Sequence, residues 1–184
     1  MALTESNLIE IGRSAPQFML PDTVTGKSLR LIDLKGDKGT VIMFICNHCP
    51  YVVHVNEELV RLADEYQKKG IRFVAISSND AAEYPEDAPE KMKEKAQELG
   101  YPFPYLYDES QQVAKSYDAA CTPDFYLFDG ELNLFYHGRL DESRPGSGIA
   151  VTGRDMRKAM DTLLVGDTPL SPQMPSIGCS IKWK

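Results

Sequence analysis

The 184-residue chain is predicted to be a single α/β domain with a central mixed β-sheet flanked by helices, and three observations carry that reading. Two continuous apolar runs, TVIMFIC (Thr40 to Cys46) and IRFVAIS (Ile71 to Ser77), suit strands buried on both faces of a partly parallel sheet. Between them Val52, Val55, Leu59, Leu62 and Tyr66 recur at spacings of three and four, and Lys68, Lys69 and Gly70 supply a stop. Residues 40–77 therefore make a βαβ unit with a right-handed crossover. Finally, 42% hydrophobic residues in a chain of this length can fill one core without disulfide or metal help.

The other elements follow from turn and capping signals. Ala15-Pro16, Pro21-Asp22, Thr25-Gly26 and Lys35-Gly36 punctuate short apolar stretches, so an N-terminal hairpin extension precedes the first buried strand. The proline-broken segment SSNDAAEYPEDAPE (Ser77 to Glu90) leaves the second strand at its carboxyl end, where open α/β sheets carry ligands. Met92, Ala96 and Leu99 mark a helix closed by Gly100, and Phe103 to Tyr107 a short strand. Asp108 with Gln111 is spaced as a capping box for a helix over Val113–Tyr117, as is Thr152 with Asp155 for a last helix bearing Met156, Met160, Leu163 and Leu164. Pro123 to Leu140 reads as a hairpin turning at Asp129-Gly130. The domain is expected over residues 1–166. Residues 167–184, with three prolines and no periodicity, form an irregular tail packed on or beside it.

Charge and hydropathy exclude several classes. A net charge of −7 and no basic cluster argue against nucleic acid as a partner. The longest apolar run, Val41 to Cys46, is far short of the roughly 20 residues that cross a bilayer, so no membrane partner is expected. The opening MALTESNLIEIG has no basic segment followed by an apolar one, so the expected compartment is the cytoplasm. There, paired cysteines point to redox work or metal binding rather than to permanent disulfides.

The chemistry centres on Cys46-Asn47-His48-Cys49, a CxxC where a buried strand meets a helix. A sulfur at a helix N-terminus meets unpaired N–H groups and the positive end of the dipole, which select the thiolate. Cys46, taken as nearest the helix tip, is the expected nucleophile, and Cys49 one turn later the resolving thiol. His48, when protonated, stabilises the thiolate and makes the disulfide more oxidising. Pro50, lacking an N–H, fits a helix that begins close to Cys46. Two other readings stand beside this one. The thiols can be inert core cysteines, or Cys46 and Cys49 with His48 or Cys121 can hold a soft metal ion, although no second CxxC or HxxxH pair completes a zinc set. His54 and His137 read as structural.

Gly12-x-x-Ala15-Pro16-x-Phe18-x-Leu20, the strand–CxxC–helix of 40–69 and Thr122-Pro123 before a strand resemble the thioredoxin-like fold. They resemble in particular its redoxin branch of AhpC/TSA peroxiredoxin-like and TlpA/ResA-like oxidoreductases. CNHCPY, YPEDAPE, CTPDF and PSIGCSIKW narrow the resemblance to one peroxiredoxin-like subgroup. The resemblance implies that Pro123 is a cis-proline beside the active site and that the Thr122 backbone pairs with a bound partner. It also leaves Cys121 and Cys179 as candidates for a third redox or resolving thiol.

Two departures bear on the activity. Peroxiredoxins of this branch carry Pro seven and Thr or Ser three residues before the peroxidatic cysteine; counting back gives Gly39 and Met43 from Cys46, and Ile42 and Cys46 from Cys49. The acid that TlpA/ResA-like proteins often carry three residues after the second cysteine is here Val52, so the proton must come from His48, water or an acid elsewhere. The expected function is thiol–disulfide oxidoreduction, with a thiol peroxidase as the alternative and a metal-binding protein as a further one. No cofactor is expected, because dithiol chemistry draws its electrons from another thiol. The expected partner is a thiol or disulfide protein, or a small thiol or peroxide. The electron donor and the oligomeric state are not legible.

Overall fold

A computed structural model describes residues 3–184. Strand β1 (Leu3–Glu5) leads to a hairpin of β2 (Met19–Pro21) and β3 (Ser28–Arg30), a short α1 (Leu31–Leu34) and β4 (Gly39–Phe44). Then come α2 (Pro50–Tyr66), β5 (Ile71–Ser77), α3 (Pro89–Leu99), β6 (Tyr105–Tyr107) and α4 (Gln112–Tyr117). The chain ends with β7 (Cys121–Thr122), β8 (Asp124–Asp129), β9 (Leu134–Gly138), α5 (Arg154–Leu164) and β10 (Ile177–Ser180). The main sheet has the order β6-β5-β4-β8-β9, parallel from β6 to β4 and antiparallel from β4 to β9.

The apolar run that predicts the first buried strand is β4, at the centre of this sheet and buried throughout. Its alternation divides the core in two. Val41 and Met43 pack with Leu59 and Leu62 of α2, Met92 of α3 and Met160 of α5. Ile42 and Phe44 pack on the other face with Leu31, Ala114 and Tyr117. Helices on both faces remove the need for polar alternation, which is why the strand reads as continuous apolar sequence. α2 runs into a tight 3₁₀ turn and stops at Gly70, whose φ of +92° is open to glycine at little cost.

The capping boxes do not form. Gln111 itself occupies the N-cap of α4, at φ +64°, and sends its amide to the carbonyls of Ser78 and Lys182. Asp108 instead accepts the Ala114 N–H. At α5 the N-cap is Gly153, and Asp141 Oδ2 accepts the N–H groups of Thr152 and Gly153 at 2.7 Å each. The Leu140 carbonyl from the preceding loop accepts the N–H groups of Asp155 and Met156 in the first turn, the work expected of Thr152, while Asp141 fixes the lead-in to the N-cap. The β8–β9 hairpin turns through Asp129–Asn133 with Leu132 at positive φ, a longer loop than the Asp129-Gly130 signal implies.

The tail is not irregular. β10 lies antiparallel between β1 and β7 in a second sheet, pairing Cys179 with both Leu3 and Thr122. Beyond it, the Lys182 N–H bonds Asn79 Oδ1 and the Lys184 N–H bonds Gln111 Oε1. Among the described residues, no helix is long and apolar enough to cross a membrane.

Candidate active site

The loop after β4 carries Cys46 to Cys49 to the start of α2, which begins at Pro50 rather than near Cys46. Cys49 is therefore the N-cap and Pro50 the first helical residue, where a missing N–H costs nothing. This corrects the expected order of the two sulfurs along the helix. The positive helix end faces Cys49, and Cys46 lies before it.

Both thiols are buried, Cys46 at 2% exposure and Cys49 at 0%, and both meet Thr122. The adjacent Cys46 thiol foremost, then Cys179 and the Val52 N–H, outweigh burial and bring the Cys49 thiol down to about 5. The neighbouring Cys49 first, then burial and the charge of Asp87, push Cys46 well above an ordinary thiol. The pair thus holds a single negative charge, on the sulfur at the helix end. A proton resting on Cys49 also has an acceptor, the Thr122 carbonyl at 3.3 Å. Cys46 Sγ has the Thr122 hydroxyl at 3.4 Å. One proton can therefore reside on either sulfur.

His48 does not stand alone. Its Nδ1 is 2.6 Å from Oδ2 of Asp87, and its ring stacks on Tyr84 at 5.3 Å between centroids. Asp87 is completely buried, and its remaining bonds come from the Asn47 N–H and the Asn79 amide at 2.7 Å each. The Asp87 carboxylate raises the His48 pKa despite partial burial. Burial pushes Asp87 up, but the bonds from His48, Asn79 and Asn47 together hold it below the usual carboxylate range. A His48 ring nitrogen, Cys46 Sγ and an Asp87 oxygen lie within 4.8 Å of one another. His48 Nε2 is shut from solvent and has no partner, while a groove lined by Asn47, Pro85, Glu86 and Lys91 opens beside the ring.

Asp87 is the acid that the sequence does not identify. It comes from the Pro85–Asp87 turn, in the proline-broken segment that leaves β5 at its carboxyl end. Glu83, Glu86 and Glu90 lie in the same segment, and nothing in composition or spacing singles out the one that turns inward. For a metal ion, Cys46, His48 and Asp87 are the convergent donors, rather than Cys46, Cys49 and Cys121. Both Asp87 oxygens already accept hydrogen bonds from the protein, so this set is built as a proton network more than as a ligand set.

The Thr122–Pro123 peptide bond is cis, as the resemblance implies. The Thr122 backbone is not an open edge, however, because the chain's own β10 pairs with it. Cys121 and Cys179 separate clearly. Cys121 Sγ reaches only the Pro123 carbonyl, and burial raises its pKa steeply. Cys179 Sγ lies 2.7 Å from Cys49 Sγ.

Comparison with known proteins gives the fold and the family of the chain. A crystal structure of a conserved protein from Geobacillus kaustophilus superposes with a TM-score of 0.98 at 61% identity, covering 100% of this chain and 97% of that one. The thioredoxin domain of a thiol-disulfide oxidoreductase from Bacteroides vulgatus superposes with a TM-score of 0.61 at 21% identity, covering 74% and 91%, which shows the thioredoxin-like fold. The thiol-disulfide oxidoreductase ResA of Bacillus thuringiensis is 27% identical over 121 residues, 66% of this chain. That alignment spans 65% of ResA's own length. A sequence model of the AhpC/TSA family matches residues 11–137, more than half of the sequence, and the chain belongs to the AhpC/TSA family.

Proposed function

We propose that the protein is a thiol–disulfide oxidoreductase acting through Cys46 and Cys49. The observation that carries this is the pair of buried thiols that meet on Thr122 at the N-terminal end of α2, with Cys49 at the N-cap and brought down to about 5. A pair that is half ionised at neutral pH is prepared for exchange, because the thiolate is the attacking species.

In the reductive direction, the shared proton passes to Cys49 and the Cys46 thiolate attacks the substrate disulfide. A Cys46–substrate bond forms, and the first substrate sulfur leaves as a thiolate. Cys49, deprotonated again, attacks Cys46 Sγ, which forms the Cys46–Cys49 disulfide and expels the second substrate sulfur. The substrate gains two electrons and two protons, one from the thiol pair and one from solvent. His48, held by Asp87, keeps a ring nitrogen within 4.8 Å of Cys46 Sγ, where its charge favours the attacking thiolate. The partner we propose is a thiol or disulfide protein of the cytoplasm. The dithiol reading is preferred to a peroxidatic one because Gly39 and Met43, buried in β4, offer no hydroxyl for a peroxide.

The test is reduction of insulin disulfides by the wild-type protein with dithiothreitol as electron source. Cys46→Ser and Cys49→Ser should each reduce the rate to that of dithiothreitol alone. Full activity in Cys46→Ser would overturn the reading, and stoichiometric consumption of hydrogen peroxide by the wild type would replace it with the peroxidase.

A further inference from the structure

Three sulfurs, not two, meet at the end of α2. Cys49 Sγ lies 2.7 Å from Cys179 Sγ, and Cys46 meets the same Thr122 that Cys49 does. Two thiols so close need only a small rotation to reach the roughly 2.05 Å of a covalent bond. The approach is built into the tail. β10 is held on both edges by β1 and β7, in a register that sets Cys179 opposite Thr122, the residue whose carbonyl and hydroxyl touch Cys49 and Cys46. At Gly178 a Cβ would come within 2.0 Å of the Thr122 carbonyl oxygen, so only glycine lets the strand lie this close.

We infer that Cys179 is a third redox thiol, which takes the disulfide from Cys46–Cys49 and stores it as Cys49–Cys179. This role rests on the dithiol function proposed for Cys46 and Cys49. In the transfer, Cys179 Sγ gives up its proton and attacks Cys49 Sγ. The Cys49–Cys179 bond forms as the Cys46–Cys49 bond breaks, and the electron pair of the broken bond leaves on Cys46, which takes up the proton. No external oxidant is consumed, since one disulfide replaces another. In the reduced protein burial first, then the hydrogen bond to Cys49 and the Cys49 charge, raise the Cys179 thiol to about 12. Once Cys49 is in a disulfide that charge is gone, while Lys182 remains nearby to favour the Cys179 thiolate. Cys121 has no such route, because its sulfur reaches only a carbonyl.

The consequence is a tail that is covalently pinned over the site when the protein is oxidised, with Cys46 free as a thiol. In the reduced protein β10 is held by its ladders and by the hydrogen bonds of Ser176, Lys182 and Lys184 beside it, with no covalent tie. An electron donor or substrate can then reach the Thr122 edge only after β10 lifts.

The experiment is disulfide mapping. Wild type, Cys46→Ser and Cys179→Ser are equilibrated in reduced and oxidised glutathione, quenched with acid, alkylated and digested, and the linked peptides are quantified by mass spectrometry. Wild type should yield both Cys46–Cys49 and Cys49–Cys179 peptides, Cys179→Ser only the former, and Cys46→Ser an intramolecular Cys49–Cys179 bond in most molecules. If Cys46→Ser carries glutathione on Cys49 and an alkylated Cys179, with no Cys49–Cys179 peptide in the wild type, the third-thiol role is wrong and the dithiol reading survives. If Cys46–Cys49 forms in neither wild type nor Cys179→Ser, the dithiol reading falls, and with it the transfer. The wild-type digest alone separates these outcomes even if a variant folds poorly.

Discussion

His48 Nδ1 lies 2.6 Å from a fully buried Asp87 oxygen, so the imidazole of the CxxC is tied to a carboxylate nearly forty residues away. The two pKa shifts set a pH window for the pair. His48 is raised in the folded protein, so its contribution is complete below the unfolded value near 6.5 and is lost as pH rises through the folded value. Asp87 is lowered, so its contribution is complete above about 3.9 and is lost as pH falls through the folded value. In urea denaturation, the stability gap between wild type and Asp87→Asn should therefore be widest between about pH 4 and 6.5 and should narrow on both sides. The His48 titration followed by NMR should move to lower pH in the variant. A gap independent of pH would mean that Asp87 acts by packing alone.

The charge on Cys49 predicts how the reduction potential responds to pH. Between about pH 5 and the ionisation of Cys46, the reduced pair keeps one proton, so two electrons enter with a single proton. The potential should then fall by about 30 mV per pH unit, steepening to about 59 mV per unit below pH 5, where both thiols are protonated. The slope is the same whichever thiol shares the oxidised bond with Cys49, because the reduced state is common to both. A slope near 59 mV across neutral pH would show that Cys49 keeps its proton.

The fold was legible wherever burial on two faces or one helical stripe wrote a strong period, as in β4, α2 and β5. It was less legible where a partner distant in sequence replaces a local one. Thr152–Asp155 and Asp108–Gln111 have capping spacing, yet the Leu140 carbonyl takes the first-turn N–H groups of α5 and the carbonyls of Ser78 and Lys182 take the Gln111 side chain. The tail shows no period because β10 is only four residues long and its two partners are 55 residues or more away. The CxxC was visible as spacing, whereas Asp87 and the Cys49–Cys179 contact arise only when separate segments converge on it.

Asp141 offers a test of this non-local capping. Its Oδ2 accepts the N–H groups of Thr152 and the N-cap Gly153 just before α5, and its Oδ1 accepts the Ser143 N–H at 2.8 Å. Asp141→Ala strands these donors and should cost about 1–3 kcal/mol in urea denaturation. Asp141→Asn, which keeps an acceptor oxygen, should recover part of the loss. Thr152→Ala should be close to neutral, since no Thr152 side-chain cap exists at α5. A larger loss in Thr152→Ala than in Asp141→Ala would reverse the assignment.

Gly178→Ala tests whether the tail's close approach protects the thiols. The added methyl would sit 2.0 Å from the Thr122 carbonyl oxygen and 2.7 Å from its carbon, a backbone clash that no rotamer relieves. Overpacking of this kind typically costs about 1–3 kcal/mol. β10 is a four-residue strand near the chain end, so local opening of the tail relieves the strain at less cost than rearranging the main sheet. The reduced variant should therefore be cleaved faster in its last 18 residues, 167–184, and its Cys49 should be alkylated several-fold faster. The main unfolding transition should move less than the loss of tail protection implies. Wild-type protection of both Cys49 and the tail would mean that Thr122 can retreat, and that the Gly178 contact does not hold β10 in place.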